Sequence, residues 1–221
     1  MPEKSLHAAL KHWYAEPGDE IEQRVEGYIV DIVRGELLIE IQTRSFSAIR
    51  RKLATLAEHH PVRLVYPIVQ DKWIVRMSAD GKTRIGRRKS PRRGRIEDVF
   101  EELVSVPGLL ALPNFTLELL LVQAEEIRRD DGRGSWRRKG WSVHDHRLLE
   151  VLERRLFLTP ADFRALLPAG LPAPFTTGDL AAAVNCSRDL AQKMAYCLRS
   201  ARVIALAGKQ GRANLYRARS G

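Results

Sequence analysis

The sequence predicts a protein of the α/β (α+β) class, in which strands with flanking helices precede a mainly helical C-terminal part. Apolar residues recur at helical spacing after Ser5, and they alternate with polar residues at strand spacing between Arg24 and Thr43. Through Met77 the order of elements is helix, strand, strand, helix, strand, strand. Two short helical patterns and a basic hairpin end the chain, so both element types contribute to the fold.

The N-terminal elements follow from this periodicity and from their flanking residues. Ser5 is a residue type that caps helices, and Pro17-Gly18-Asp19 ends the first helix. In chain order we then expect strands Arg24–Val33 and Leu37–Thr43 joined as a hairpin, a helix from Ser45 to His60, and two strands, Val62–Val69 and Trp73–Met77.

A strongly basic stretch without an acidic residue follows the last of these strands. Residues 82–95 are rich in arginine and nearly lack apolar side chains, which is typical of a solvated linker or long loop. We expect four of these arginines to contact nucleic acid phosphates, namely Arg87, Arg88, Arg92 and Arg93. The predicted domains are residues 1–80, a basic linker or loop at 81–95, and a C-terminal region at 96–221 whose last unit begins at about residue 143.

Between the linker and that last unit the pattern is mixed. In chain order we expect a short helix Ile96–Val104, an apolar strand Phe115–Ile127, a basic Gly-rich loop Arg128–Lys139 and a helix from about His144 to Leu156. Trp136 lies in the loop and Trp141 follows it. We expect both rings to pack the loop onto the domain, with stacking on nucleic acid bases as the alternative.

The charge balance points to a polyanionic partner. The chain has 37 Lys and Arg against 27 Asp and Glu, for a net charge of +10, and nucleic acid is the first candidate for such a protein. Cys186 and Cys197 are too few for a disulfide scaffold. The richest apolar run, Leu117–Val122, is too short to cross a bilayer, so we expect a cytoplasmic protein. A Gly-rich phosphate loop is absent, which argues against nucleotide-driven chemistry.

Two carboxylates on neighbouring strands form the first candidate site. Asp31 lies on the first strand of the hairpin, and Glu40 shares one face of the second strand with Gln42. If the turn brings Asp31 beside Glu40, the two charges repel unless a divalent cation lies between them. Mg²⁺ or Mn²⁺ there would activate water against a phosphodiester, with Gln42 positioning that water. The alternative is a hairpin whose polar residues face solvent.

The arrangement resembles the PD-(D/E)xK nuclease superfamily, whose members carry an Asp and then Glu-x-Lys on such a hairpin. The resemblance covers roughly residues 3–77, with Asp31 as the first acid and Glu40-Ile41-Gln42 as the Glu-x-Lys. It implies a restriction-endonuclease-like mixed sheet with flanking helices and a Mg²⁺-dependent activity. It also implies a further acid from the first helix region, for which Glu3 matches best, with Glu16, Glu20 and Glu22 as alternatives.

Gln42 departs from the family pattern. A neutral amide cannot stabilise developing negative charge as a lysine does. Some relatives recruit a basic group from the next helix, and the resemblance nominates Arg44 and Lys52 as substitutes here.

The end of the chain resembles a winged helix-turn-helix. Thr177 and Ser187 are residue types that cap two consecutive helices, and a hairpin with a Gly-rich tip follows. Such a helix fits the major groove of DNA, while the hairpin contacts phosphates; docking to a protein is the alternative. The candidate nucleic-acid-binding residues are Arg188, Gln192, Lys193 and Arg199 on the second helix, and Lys209, Arg212 and Arg217 on the hairpin.

The leading functional hypothesis is therefore a DNA-binding, Mg²⁺-dependent nuclease. The alternatives are a catalytically inactive nuclease-like protein that binds DNA or regulates, and a protein-interaction subunit. The whole chain also resembles a bacterial protein family with this two-part layout. The sequence leaves a homodimer and a complex with a partner protein both open.

Overall fold

A seven-stranded mixed sheet organises the structure, a computed structural model that describes residues 5–219. Its strands are β1 Glu20–Val25, β2 Tyr28–Arg34, β3 Leu37–Ile41, β4 Val62–Met77, β5 Arg84–Lys89, β6 Phe115–Arg129 and β7 Ser142–Phe157. Their order is β1-β2-β3-β4-β6-β7, and β5 pairs with β4. The predicted mixture of helices and strands, with helices flanking a mixed sheet, is confirmed.

The sheet combines antiparallel and parallel pairs. β1, β2 and β3 form an antiparallel meander, and β3 then runs parallel to β4. A parallel neighbour requires a crossover, which the segment with helix α2, Arg50–His59, supplies. β4 is also parallel to β6, β7 is antiparallel to β6, and β5 is antiparallel to the C-terminal half of β4.

Helices cover both faces of this sheet. Besides α2, they are α1 Ser5–Tyr14, α3 Phe100–Leu103, α4 Thr177–Val184 and α5 Arg188–Ser200, and a hairpin of β8 Ile204–Gln210 and β9 Ala213–Ala218 follows them. Short 3₁₀ turns are present at Phe46–Ile49, Ile96–Val99, Pro107–Ala111, Trp136–Arg138 and Pro160–Leu166. No helix within residues 5–219 is long and apolar enough to span a membrane.

Two apolar layers follow from the alternation of side chains along the strands. Ile39 and Val65 pack with α1 on one face, whereas Leu38 and Leu64 pack with α2 on the other. The layer on the α2 face continues into the C-terminal helices. Four apolar residues of α5 are buried there, namely Leu190, Met194, Cys197 and Leu198.

The first predicted strand, Arg24–Val33, is in fact a hairpin. Glu26 and Gly27 have φ angles of 48° and 80°, and two consecutive positive φ angles are typical of a type I′ turn between strands. This turn separates β1 from β2. The second hairpin, of β2 and β3, is present as predicted.

The predicted break at Gln70-Asp71 is a bulge within one long strand. The β4–β6 register pairs Val69 with Val122 and Asp71 with Gln123. Gln70 is therefore the extra residue, and β4 continues through it to Met77. A bulge of this kind bends the strand without ending it.

The linker prediction for residues 81–95 was wrong, because Arg84–Lys89 is a strand of the same sheet. The predicted boundary at residue 80 therefore falls inside a sheet that continues to Phe157. A basic, exposed edge strand lacks the apolar alternation on which strand prediction depends, while its charges discourage pairing with other chains.

The helix predicted from about His144 to Leu156 was also wrong, because this segment is a strand. Residues 142–157 form β7, antiparallel to β6. The register of this pair shifts three times, leaving His144, Leu149 and Leu152 as extra residues. Each extra residue interrupts the alternation of apolar and polar residues that is typical of a strand. The apolar residues of β7 are therefore spaced as in a helix, which explains the wrong prediction.

Candidate functional site

Asp31 and Glu40 lie where the ladder between β2 and β3 ends. The ladder pairs Ile32 with Ile39, and the same register one step further places Asp31 opposite Glu40. Asp31 Oδ2 accepts a hydrogen bond from the backbone N of Ile41 at 2.8 Å. A side-chain carboxylate therefore bridges the two strands at this position, next to Glu40.

The strand around Asp31 is irregular. Val30 packs in the apolar layer of the α2 face and Ile32 in the layer of the α1 face, although residues two apart on a regular strand share one face. Asp31 is thereby turned toward α1, and its Oδ2 lies 3.3 Å from Nε2 of His7. Sequence reasoning missed His7, because only the docking of α1 onto the sheet brings it to the site.

Glu40 is held from the opposite face of the sheet. It is buried, with 7% of its surface exposed, and its Oε2 accepts a hydrogen bond from Nζ of Lys52 at 2.5 Å. The same ammonium donates to the carbonyl O of Ile29 at 2.5 Å. Lys52 belongs to α2, so helices from both layers contribute to this end of the sheet.

The two carboxylates have shifted pKa values of opposite direction. Burial raises the pKa of Glu40 to about 7, the negative charge of Asp31 adds to that rise, and the ion pair with Lys52 opposes it. The pKa of Asp31 is lowered, because the hydrogen bonds from His7 and Ile41 outweigh the effect of burial. At neutral pH Asp31 is therefore ionised, while Glu40 is divided between its two protonation states.

Gln42 is close to the acids in sequence, but its amide is engaged elsewhere. Its Nε2 donates to the carbonyl O of Ser45 at 3.3 Å, and its Oε1 accepts from the backbone N of Thr43 at 3.2 Å. These bonds order the loop after β3. Of the two basic substitutes nominated by the family resemblance, Lys52 contacts Glu40, whereas Arg44 lines a neighbouring cavity.

Within the described residues, none of the further acids named by the resemblance contacts Asp31 or Glu40. Glu3 lies outside them. Continuing the β1–β2 register places Glu22 opposite Asp31, but Glu22 is exposed, with a φ angle of 55°, and pairs with Nζ of Lys11 at 2.5 Å. Within residues 5–219 no group of three or more His, Cys, Asp or Glu side chains could hold a metal ion.

A cavity of ≈ 330 Å³ opens at the C-terminal end of β3, beyond the two acids. Its wall contains more cationic than anionic side chains, a balance that favours anionic ligands. The charged and titratable residues that line it are Arg44, Lys72, Arg92, His146 and Asp98.

The four arginines of the predicted linker have different surroundings. Arg87 Nε donates to Glu125 at 2.7 Å, and its guanidinium stacks on Trp73. Arg93 lies 3.4 Å from the carboxylate of buried Asp71. Arg88 and Arg92 are exposed and make no ion pair within the described residues.

The candidate nucleic-acid-binding residues of α5 and the β8–β9 hairpin are mostly exposed. Arg188, Gln192 and Arg199 face outward on α5. Lys193 differs, because its Nζ pairs with Glu101 of α3 and, at 2.7 Å, with Asp189. The hairpin exposes the three remaining candidates, Lys209, Arg212 and Arg217.

Comparisons with known proteins show the family of the chain. Residues 4–158 match the model of a domain of unknown function, DUF8091, so the chain belongs to this family. An uncharacterized protein of Treponema pallidum (strain Nichols) is 31% identical over 222 residues, which cover 97% of this chain and 85% of the relative. No solved structure matches the chain. The matched segment contains α1, both acids, Lys52 and the whole seven-stranded sheet.

Proposed function

We propose that this DUF8091 protein is a metal-dependent nuclease that hydrolyses phosphodiester bonds in DNA. One observation carries the proposal: Asp31, Glu40 and Lys52 come together at the end of the β2–β3 ladder from three different elements. Two acids and a lysine are the groups that the PD-(D/E)xK pattern requires. The mixed sheet, with a helix before the hairpin and another after it, supports a restriction-endonuclease-like domain.

The donor set fits a hard divalent cation. Carboxylate oxygens are the ligands that Mg²⁺ prefers, and Mg²⁺ usually keeps several waters rather than filling an all-protein cage, so two protein ligands are sufficient. The raised pKa of Glu40 supports the same assignment, because it reflects a buried negative charge that Lys52 only partly offsets. Held by Asp31 and Glu40, Mg²⁺ or Mn²⁺ would polarise the phosphodiester and lower the pKa of a bound water.

Lys52 takes the role that Gln42 cannot perform. A cation aimed at the reaction centre stabilises the negative charge that develops on the phosphate. The ammonium of Lys52 already lies at Glu40 and is anchored by the carbonyl of Ile29. In this assignment Gln42 holds the loop after β3 through its bonds to Ser45 and Thr43.

The C-terminal helices and hairpin hold the duplex in this proposal. α4 and α5 are joined by a tight turn in which Asn185 has a φ angle of 55°, and the β8–β9 hairpin follows, as in a winged helix-turn-helix. Arg188, Gln192 and Arg199 then face the major groove, and the hairpin lies along the phosphates.

A second candidate function is a DNA-binding protein without catalysis. The observation that favours it is the direct ion pair between Lys52 and Glu40, which neutralises one of the two acids in the absence of metal. In that case the pair is a structural link between α2 and β3.

Plasmid nicking with Mg²⁺ or Mn²⁺ distinguishes the two candidates. We expect the wild-type protein to nick supercoiled plasmid, and Asp31→Asn and Glu40→Gln each to lower the rate by more than about 100-fold, since even residues that only support metal ligands cost 10- to 100-fold. Glu36→Gln, an exposed acid in the turn of the same hairpin, is the matched control and should nick normally. Salt-sensitive DNA binding without any nicking would favour the second candidate, and nicking that persists in both variants would refute the site.

A further inference from the structure

We propose that the loop between β6 and β7 binds unpaired bases of a nucleic acid, with Trp136 as the stacking platform; this inference rests on the proposed function and assigns its substrate class. The loop, residues 130–141, begins with two acids, Asp130 and Asp131, of which Asp131 is bonded to the backbone N of Arg133 and to Ser142. The rest of the loop, residues 132–141, carries four basic side chains and two tryptophans. The basic residues, Arg133, Arg137, Arg138 and Lys139, are all exposed. A cationic surface with an accessible aromatic ring is the combination that binds single-stranded nucleic acids.

The loop is closed by its own hydrogen bonds. Gly134 N donates to the carbonyl O of Gly140 at 2.8 Å, and Trp136–Arg138 forms a 3₁₀ turn between them. Gly134 also packs so closely that an added Cβ would lie 1.9 Å from the carbonyl O of Trp141, so only glycine fits there. The ring of Trp136 is thus presented from an ordered loop, which lowers the entropy lost on binding.

The two tryptophans of the loop have opposite surroundings. The guanidinium of Arg76 stacks over Trp141 at 5.1 Å from the ring centroid, which anchors the loop to β4. Trp136 is 83% exposed, and its one aromatic or cationic contact within the described residues is Arg137, at 5.6 Å. The expected packing therefore applies to Trp141 and was wrong for Trp136. A large apolar ring left in water beside four cations is explained by a partner that offers both phosphates and flat rings.

The position of the loop sets the geometry of the substrate. Glu40 pairs with Leu64 of β4, and Leu64 pairs with Leu117 of β6, so the acids lie level with Leu117. The loop begins after Arg129, at the opposite end of β6. At about 3.3 Å per residue the loop is roughly 40 Å from the two acids. That distance corresponds to about one turn of duplex. The predicted substrate is therefore a duplex with an unpaired segment about one turn from the cleaved bond.

Binding measured in EDTA tests the inference separately from catalysis. The probes are a labelled 30-nucleotide oligothymidine, a 30-base-pair blunt duplex and the same duplex with a ten-nucleotide overhang. We expect Trp136→Ala to weaken binding of oligothymidine and of the overhang duplex by about 10-fold or more, and of the blunt duplex by less than about 3-fold. Trp136→Phe should restore most of the affinity, and Ile85→Ala, another exposed apolar residue, should have no effect.

Equal affinity of wild type and Trp136→Ala for all three probes would overturn the inference. So would an equal loss for all three probes, or binding of vesicles with 30% phosphatidylserine that depends on Trp136 while DNA binding does not. Failure of the proposed nuclease function would give a different result. The wild-type protein would then nick no plasmid, but its binding of the probes in EDTA would still depend on Trp136.

Discussion

Two sets of buried carboxylates in the same sheet differ in how their charge is balanced. On β6, Glu126 has the cations Lys72 and Arg128 within 2.7 Å and His146 at 3.7 Å. Glu118 on the same strand is likewise placed among Arg154, Arg63 and the hydroxyl of Tyr14. At the β2–β3 ladder end, by contrast, two neighbouring acids have one basic partner each, His7 beside Asp31 and Lys52 beside Glu40.

The pKa values record the difference. Although burial opposes ionisation of Glu126, the nearby His146 and the hydrogen bonds from Lys72 and Arg128 hold its pKa well below the usual range. Burial and the charge of Asp31 raise the pKa of Glu40 to about 7. The charge of Glu126 is thus well balanced by its basic neighbours, whereas at the ladder end Lys52 only partly offsets the effect of burial and of Asp31 on Glu40. In the proposed function a metal ion would supply further positive charge there.

The largest effect should come from removing the one lysine at the ladder end. Lys52→Ala should lower the nicking rate by about 100-fold or more, because it removes the cation that stabilises developing charge. It should also tighten Mn²⁺ binding, measured by calorimetry, since the acids lose their competing cation. Arg51→Ala, one position earlier on α2 and exposed, is the control. Full activity in Lys52→Ala would remove Lys52 from the mechanism.

Replacing glutamate by glutamine should change the free energy of unfolding in opposite directions at Glu40 and at Glu126. Glu40 has a folded pKa raised above its ordinary 4.5, so its contribution to stability is present below pH 4.5 and is lost as pH rises through about 7. Without metal at pH 8, Glu40→Gln should therefore raise the free energy of unfolding, by on the order of 2 kcal/mol.

Glu126→Gln should instead lower the free energy of unfolding at pH 8, by about 1–3 kcal/mol, because the depressed pKa of Glu126 means that its ionised form stabilises the fold. Urea denaturation of both variants at pH 5 and pH 8 measures the contrast. Destabilisation of the same size in both variants would show that the ladder-end acids are ordinary ion-pair partners.

The same distinction between paired and unpaired charges applies to α5. Arg188 and Arg199 make no ion pair within residues 5–219, whereas Lys193 is engaged by Glu101 and Asp189. Arg188→Ala with Arg199→Ala should weaken duplex binding by about 10-fold and reduce the slope of log K against log salt by about 2. Lys193→Ala should change either quantity much less. A larger effect of Lys193→Ala would mean that its ion pairs open on DNA.

The smallest effect should come from introducing the lysine of the PD-(D/E)xK pattern at position 42. Gln42→Lys should change the nicking rate by less than about 3-fold, because Lys52 already supplies the cation and the side chain at position 42 bonds the loop after β3. A large gain in rate would show instead that the wild-type site lacks its lysine.

The proximity of Asp31 and Glu40 was predictable, because Arg34-Gly35-Glu36 fixes the register of a short hairpin. Lys52 was one of two candidates that the family resemblance named, and the structure shows which of them contacts the acid. His7 could not be found in the same way. Its position depends on how α1 docks onto the sheet, and a histidine near the start of a helix carries no local signal of that docking.

The long strands were harder to predict than the site. Bulges in β4 and β7 interrupted the period of two, so one strand was divided in the prediction and another was taken for a helix. Four of the six residues of β5 are basic, and its pairing with β4 is a long-range property that composition does not report. The exposure of Trp136 was likewise decided by the loop geometry rather than by residue type.

The proposal that Asp31 and Glu40 share a metal ion is tested most directly by diffraction from a crystal soaked in Mn²⁺ at pH 8, where Glu40 is ionised. We expect one anomalous peak at the ladder end, about 2.1 Å from a carboxylate oxygen of Asp31 and from one of Glu40. A map without that peak, at a Mn²⁺ concentration that supports nicking, or a peak held by other residues, would contradict the assignment of these two acids as the metal site.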